Sequence, residues 1–99
     1  SSFVQMVFKL FNINLPRDCY QQAEVGEAIG FLAEAKPGDL AFFDNEQGKI
    51  THVGILLSPN QIIHASAVVR IDPIDQAGIV SSSTGLRTHQ LRIIRRIAL

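Results

Sequence analysis

The hydrophobic period of this chain changes once, at Lys36-Pro37-Gly38-Asp39, and that change divides it into a helical front and a stranded back. Lys-Pro-Gly-Asp is itself a strong turn signal, because proline presets φ and glycine takes conformations that other residues avoid. Ahead of it, Phe3, Val4, Val7, Phe8 and Phe11 recur at helical spacing, with Met6 and Leu10 beside them and Gln5, Lys9 and Asn12 elsewhere. Residues 1–12 are therefore expected to form an amphipathic helix. Asn12-Ile13-Asn14-Leu15-Pro16 is expected to end it, since the residue before a proline avoids the helical region. Asp18 is placed to cap a short second helix running to about Glu24. Gly26 and Gly30 leave room for a turn or two at most between Ala28 and Ala35.

Behind the turn the pattern is that of strands. Segments 40–43, 51–57, 61–66, 68–72 and 91–97 are rich in β-branched and aromatic residues and are bounded by turn formers such as Asn45-Glu46-Gln47-Gly48 and Ser58-Pro59-Asn60. Residues 76–88 are polar, include Ser81-Ser82-Ser83, and are expected to form a long loop. Helices first and an antiparallel meander afterwards imply an α+β architecture. The whole chain, residues 1–99, is read as a single domain, for which 99 residues suffice.

Composition excludes several classes of function. Nine basic residues balance nine acidic ones, so no net charge draws nucleic acid or an anionic membrane. No apolar run reaches the ~18 residues of a membrane span. Arg87, Arg92, Arg95 and Arg96 cluster late and read as a solvated strand edge. The single cysteine, Cys19, cannot form an internal disulfide or a paired-thiolate metal site, and no cofactor is called for. The chain opens on Ser1-Ser2-Phe3, already inside the expected helix, as a fragment with its upstream part missing would.

The informative chemistry lies in Thr51-His52-Val53-Gly54-Ile55 and Ile62-Ile63-His64-Ala65-Ser66. With Ser58, Pro59 and Asn60 as a three-residue loop, Leu57 pairs with Gln61 and His64 falls opposite Gly54. Alternation then puts His52, Gly54, Leu56, Ile62, His64 and Ser66 on one face. His52 and His64 become diagonal neighbours, about 7–8 Å apart at the backbone. A two-residue loop would separate them. Two touching histidines suit a general base and the group that holds its tautomer. They equally suit two core histidines bonded to backbone. A zinc site would need a third ligand, and the one remaining histidine, His89, lies beyond the polar loop.

Five segments in order, Ser1-Ser2-Phe3-Val4-Gln5, Leu15-Pro16-Arg17-Asp18, Lys36-Pro37-Gly38-Asp39-Leu40-Ala41-Phe42-Phe43, His52-Val53-Gly54-Ile55 and Ile63-His64-Ala65, resemble the NlpC-type cysteine peptidases. Within them the resemblance is nearest to the γ-D-glutamyl-L-diamino acid endopeptidases that trim murein peptides. It implies a papain-like core and a cysteine nucleophile in an Asp-Cys-Ser-Gly motif at the start of the first long helix, where the helix dipole favours a thiolate. The motif's serine falls on Ser1, and Ser2 stands where glycine is usual. The nucleophile is thus expected immediately before Ser1, whether cut away, modified, or truly lost.

On the same resemblance His52 is the base and His64 its orienter. Ser1 helps bind the free amine of the substrate's first L-alanine, and Arg17, Asp18 and Cys19 line the γ-D-glutamate subsite. For Arg17 and Asp18 the alternative is a surface pair capping the short helix. Cys19 occupies a place where a small residue is usual, which makes it a pocket wall or a plain buried thiol rather than the nucleophile. The implied activity is hydrolysis of the γ-D-glutamyl-diamino acid bond of murein peptides, in the cell envelope (periplasmic or secreted) or, during recycling, in the cytoplasm. Barrel-type wall-binding modules are expected ahead of the domain. A module that binds wall peptides without cutting them is the alternative.

Overall fold

A computed structural model describes residues 2–98 of the chain. Helix α1 spans Ser2–Lys9 and buries Val4 and Phe8. It ends sooner than expected, and not because of Pro16. Asn12 takes a left-handed φ of 60°, its N–H bonds to the Lys9 carbonyl at 3.0 Å, and the Ile13 N–H reaches back to the Phe8 carbonyl at 3.1 Å. That paired closure satisfies the last carbonyls of the helix, and asparagine tolerates the left-handed position better than most residues. Phe11, expected on the buried face, is 64% exposed as a result.

Helix α2 is a single turn, Cys19–Gln22. Asp18 stands at its N-cap position in extended backbone, but its side chain makes no capping hydrogen bond; its carbonyl instead accepts from Gln21 and Gln22. The segment expected to hold only a turn or two carries strand β1 (Glu27–Ile29) and a 3-10 turn at Leu32–Glu34. The Lys36–Asp39 turn is held by the Asp39 carboxylate, which accepts the Lys36 N–H at 2.8 Å and is itself paired with Arg96. Gly38 supplies a φ of 94° there.

Six more strands follow: β2 (Leu40–Asp44), β3 (Ile50–Ser58), β4 (Gln61–Ser66), β5 (Val68–Asp75), β6 (Gly78–Val80) and β7 (Arg87–Arg96). All pair antiparallel in the order β1-β7-β2-β3-β4-β5-β6, and β6 also pairs with β7. The sheet therefore curls towards closure like a barrel. The α+β expectation holds in part: helices do precede and cover an antiparallel sheet, but they are few and the architecture is mostly β. Two expectations fall with β6 and β7. Residues 76–88 are not one loop, and the late arginines are not a solvated edge. Arg92 pairs with Asp44, Arg96 with Asp39 and Arg87 with Asp75, while Arg95 donates to the carbonyls of Ala23 and Gly26.

Strand alternation divides the core in two. Ala41, Phe43, Leu56, Ile62, Ile74, Ile79 and Ile94 fill the inside of the curl. Leu40, Phe42, Val53 and Ile55 face outward and bury the apolar side of α1 with Leu15 and Ala23. Among the described residues no helix is long and apolar enough to cross a membrane.

Candidate active site

β3 carries His52 and β4 carries His64, and their juxtaposition depends on register. The loop between them is shorter than expected: Ser58 pairs with Gln61, leaving two residues, Pro59 and Asn60. By itself that slip would send the histidines to opposite faces. A bulge at Leu57 restores the count, so that Leu56 pairs with Ile62 and Gly54 with His64. Gly54 is required at this point, because a side chain here would meet its cross-strand neighbours. A Cβ there would lie 2.6 Å from Ile62 Cδ1 and 3.0 Å from the His64 Cβ.

His52 Nε2 lies 2.8 Å from His64 Nδ1, with the rings almost perpendicular at 85°. On the far side of His64, its Nε2 lies 2.7 Å from Asp72 Oδ2. Both groups are buried, His64 1% exposed and Asp72 2%. The second carboxylate oxygen, Oδ1, accepts from the Ser82 N–H at 2.9 Å, the Ser82 hydroxyl at 3.0 Å and Arg70 Nη2 at 3.0 Å. Arg70 Nε adds an ion pair to Oδ2 at 2.8 Å. Burial opposes ionisation of this carboxyl, but the bonds from Ser82, His64 and Arg70 outweigh it and hold its pKa well below the carboxylate range. Asp72 is thus a buried anion that accepts hydrogen bonds at both carboxylate oxygens.

His89 is not remote. β7 pairs with β6 through Ile79 and His89, which lays the His89 ring on that of His52 with centroids 4.2 Å apart and planes 22° from parallel. Phe43 closes the other approach to His52, its ring centroid 5.7 Å away. Burial, then repulsion from His89 and His64, lowers the His52 pKa from 6.5 to about 4. His89 is lowered too, chiefly by burial and then by His64, with Asp72 pulling the other way. His52 is therefore a neutral imidazole near pH 7 unless an anion is set against it. Among the described residues no group of three or more His, Cys, Asp or Glu side chains is arranged to hold a metal ion.

One edge of His52 opens onto a groove of about 550 Å³ that is also lined by Ser2, Phe3, Asp18, Cys19 and Lys49. The groove thus joins the start of α1 to the base of β3. Asp18 and Cys19 are among the residues lining this groove, whereas Arg17 is exposed and is not among them. The Cys19 thiol is half-buried and makes one long contact, 3.6 Å, to the Ile50 carbonyl. Ser1 lies outside the described residues. Asp72, Arg70 and Ser82 went unnoticed in the sequence, although the alternation that paired the histidines reaches Asp72 and Arg70; Ser82 lies in the turn after β6, beyond its reach. β4 and β5 pair His64 with Arg70 and Ile62 with Asp72, so Asp72 is a diagonal neighbour of His64.

Comparison with known proteins agrees with this geometry. The chain is 44% identical over 68 residues to the probable endopeptidase NlpC of Escherichia coli, covering 67% of this chain and 44% of that protein. It is 37% identical over 67 residues to the γ-D-glutamyl-L-lysine dipeptidyl-peptidase of Bacillus subtilis, covering 66% of this chain and 22% of that protein. It therefore spans less than half the length of either relative. The solved structure of NlpC2 from Trichomonas vaginalis superimposes with a TM-score of 0.77 at 27% identity, over 97% of this chain and 35% of that one. The sequence profile of the NlpC/P60 family matches residues 1–88, and the chain belongs to that family.

Proposed function

We propose that the protein containing this chain is a cysteine endopeptidase that hydrolyses the γ-D-glutamyl-diamino acid bond of murein peptides. One observation carries the proposal. His52 touches His64 at 2.8 Å and lines the same groove as Ser2, at the first turn of α1. A cysteine immediately before Ser1 would stand at the positive end of the α1 dipole, across the groove from an imidazole whose neutral form the surroundings favour. The thiol passes its proton to His52 and the thiolate attacks the γ-carboxyl carbon of D-glutamate. His52 then protonates the departing amine of the diamino acid, leaving a thioester. Water, deprotonated by His52, hydrolyses the thioester and returns the thiol. Asp18 and Cys19 form the wall against which D-glutamate rests. The names of the relatives, one an endopeptidase and one acting at γ-D-glutamyl-L-lysine, support the choice of bond.

The test uses the full-length protein and L-Ala-γ-D-Glu-diaminopimelate, with products identified by mass spectrometry. The expected result is release of free diaminopimelate, abolished by a thiol alkylating agent. Cleavage undiminished by alkylation would refute the proposal. Binding of the peptide without cleavage would favour a wall-binding module instead.

A further inference from the structure

We propose that Asp72 is a positioning residue for the reaction: it fixes the tautomer of His64, and through His64 that of His52. The inference rests on the peptidase reading for its consequence, but not for its geometry. An ionised carboxylate only accepts hydrogen bonds. Oδ1 already takes the Ser82 N–H, the Ser82 hydroxyl and Arg70 Nη2, and Oδ2 faces His64 Nε2 at 2.7 Å. The proton in that contact therefore sits on His64 Nε2. In a neutral ring so protonated the lone pair is at Nδ1, the atom 2.8 Å from His52 Nε2. His52 must donate from Nε2, which leaves its Nδ1 as the nitrogen that takes and returns the proton. A single buried charge thus orders two imidazoles in series.

The geometry around Asp72 makes the assignment breakable by an isosteric change. In Asp72→Asn one carboxylate oxygen becomes an amide NH2. Placed at the Oδ1 position, the NH2 would oppose two fixed donors, the Ser82 N–H and Arg70 Nη2. Placed at the Oδ2 position, it opposes only Arg70 Nε and donates to His64 Nε2. The second arrangement wins. His64 must then carry its proton on Nδ1 and donate it to His52 Nε2, so His52 holds its proton on Nδ1 and cannot act as a base. Exchange of the wrong tautomer into a catalytic histidine costs up to about four orders of magnitude in rate where a carboxylate plays the corresponding part in serine peptidases.

The experiment records ¹⁵N shifts of the histidine side chains in the full-length protein near pH 7, together with kcat and KM on L-Ala-γ-D-Glu-diaminopimelate. In the wild type the expected result is a neutral His64 protonated at Nε2 only, whether His52 is neutral or paired with a thiolate. In Asp72→Asn, His64 moves its proton to Nδ1 and kcat falls about 10²- to 10⁴-fold with KM within a few-fold. The wild-type spectrum needs no variant to fold. A proton on His64 Nδ1 in a wild-type protein that cleaves the peptide overturns the inference. So does a variant that loses kcat with no change of tautomer. A wild-type protein with the expected tautomer that cleaves nothing overturns the peptidase reading instead.

Discussion

The two walls of the groove are built on opposite plans. On the sheet side, β3, β4 and β5 hold His52, His64 and Asp72 in an unbroken chain of contacts of 2.8 and 2.7 Å, backed by Arg70 and Ser82. On the helix side, α2 is a single turn, Asp18 makes no capping bond with its side chain, and Cys19 has one sulfur contact of 3.6 Å. Buried polar groups in a low-dielectric interior are costly unless paired, so the sheet side tolerates little change. The helix side is less tied, with Asp18 exposed and Cys19 half-buried. On the proposed function, the groups that would handle protons sit where geometry is held, and those that would meet the peptide sit where it is held less.

If that contrast is real, substitutions on the sheet side should be severe and those on the helix side mild. His64→Ala removes the partner of both His52 and Asp72, and steady-state kinetics on the murein peptide should show kcat lowered about 10²- to 10⁴-fold. Gly54→Val should destabilise the fold by about 1–3 kcal/mol, because its Cβ would collide with Ile62 and crowd His64. Thermal unfolding reads that out as a fall in Tm of at least several degrees.

The His52 pKa gives a pH dependence of known sign. The unfolded chain protonates this histidine near 6.5 and the folded one near 4. Between those values the unfolded state binds more protons, so stability falls as pH drops from 6.5 towards 4. His89, also lowered, adds in the same direction. With the proposed nucleophilic thiol alkylated, Tm should decline through that window, and a His52→Phe, His89→Phe double variant should decline less. Cys19→Ser, on the helix side, should leave kcat within about three-fold and alter KM more than kcat; loss of all activity would make Cys19 the nucleophile. The smallest effect is expected at the exposed pair Asp75–Arg87, whose side chains are 55% and 41% exposed. There Asp75→Asn should leave Tm unchanged within error.

Much of the sheet wall was readable from residues alone, and the reason is local. Alternation along β3 and β4 needs only a register, and His52 and His64 each lie two residues from Gly54 or Ile62, the residues that anchor it. Even so, the assumed three-residue loop was replaced by a two-residue loop and a bulge at Leu57, two departures that cancel. Asp72 was within reach of the same logic carried one strand further, past Ala67, whose left-handed φ of 59° makes the tight link between β4 and β5. His89 and β6 were not readable in this way. Their positions depend on pairing between Ile79 and His89 across a polar segment, and Gly78-Ile79-Val80 is too short to declare itself a strand. The barrel-like curl follows from that same pairing. On the helix wall, the placing of Asp18 and Cys19 came from resemblance, as did that of Arg17, which is exposed and is not among the residues lining the groove.

The most direct test of the account is the turnover of L-Ala-γ-D-Glu-diaminopimelate by full-length protein carrying His52→Ala. As base and thiolate partner, His52 should account for at least about 10³-fold in kcat, with KM changed only a few-fold and the fold intact by circular dichroism. A variant that keeps kcat within ten-fold of wild type would contradict it, and would return His52 and His64 to the role of two histidines bonded together in a core.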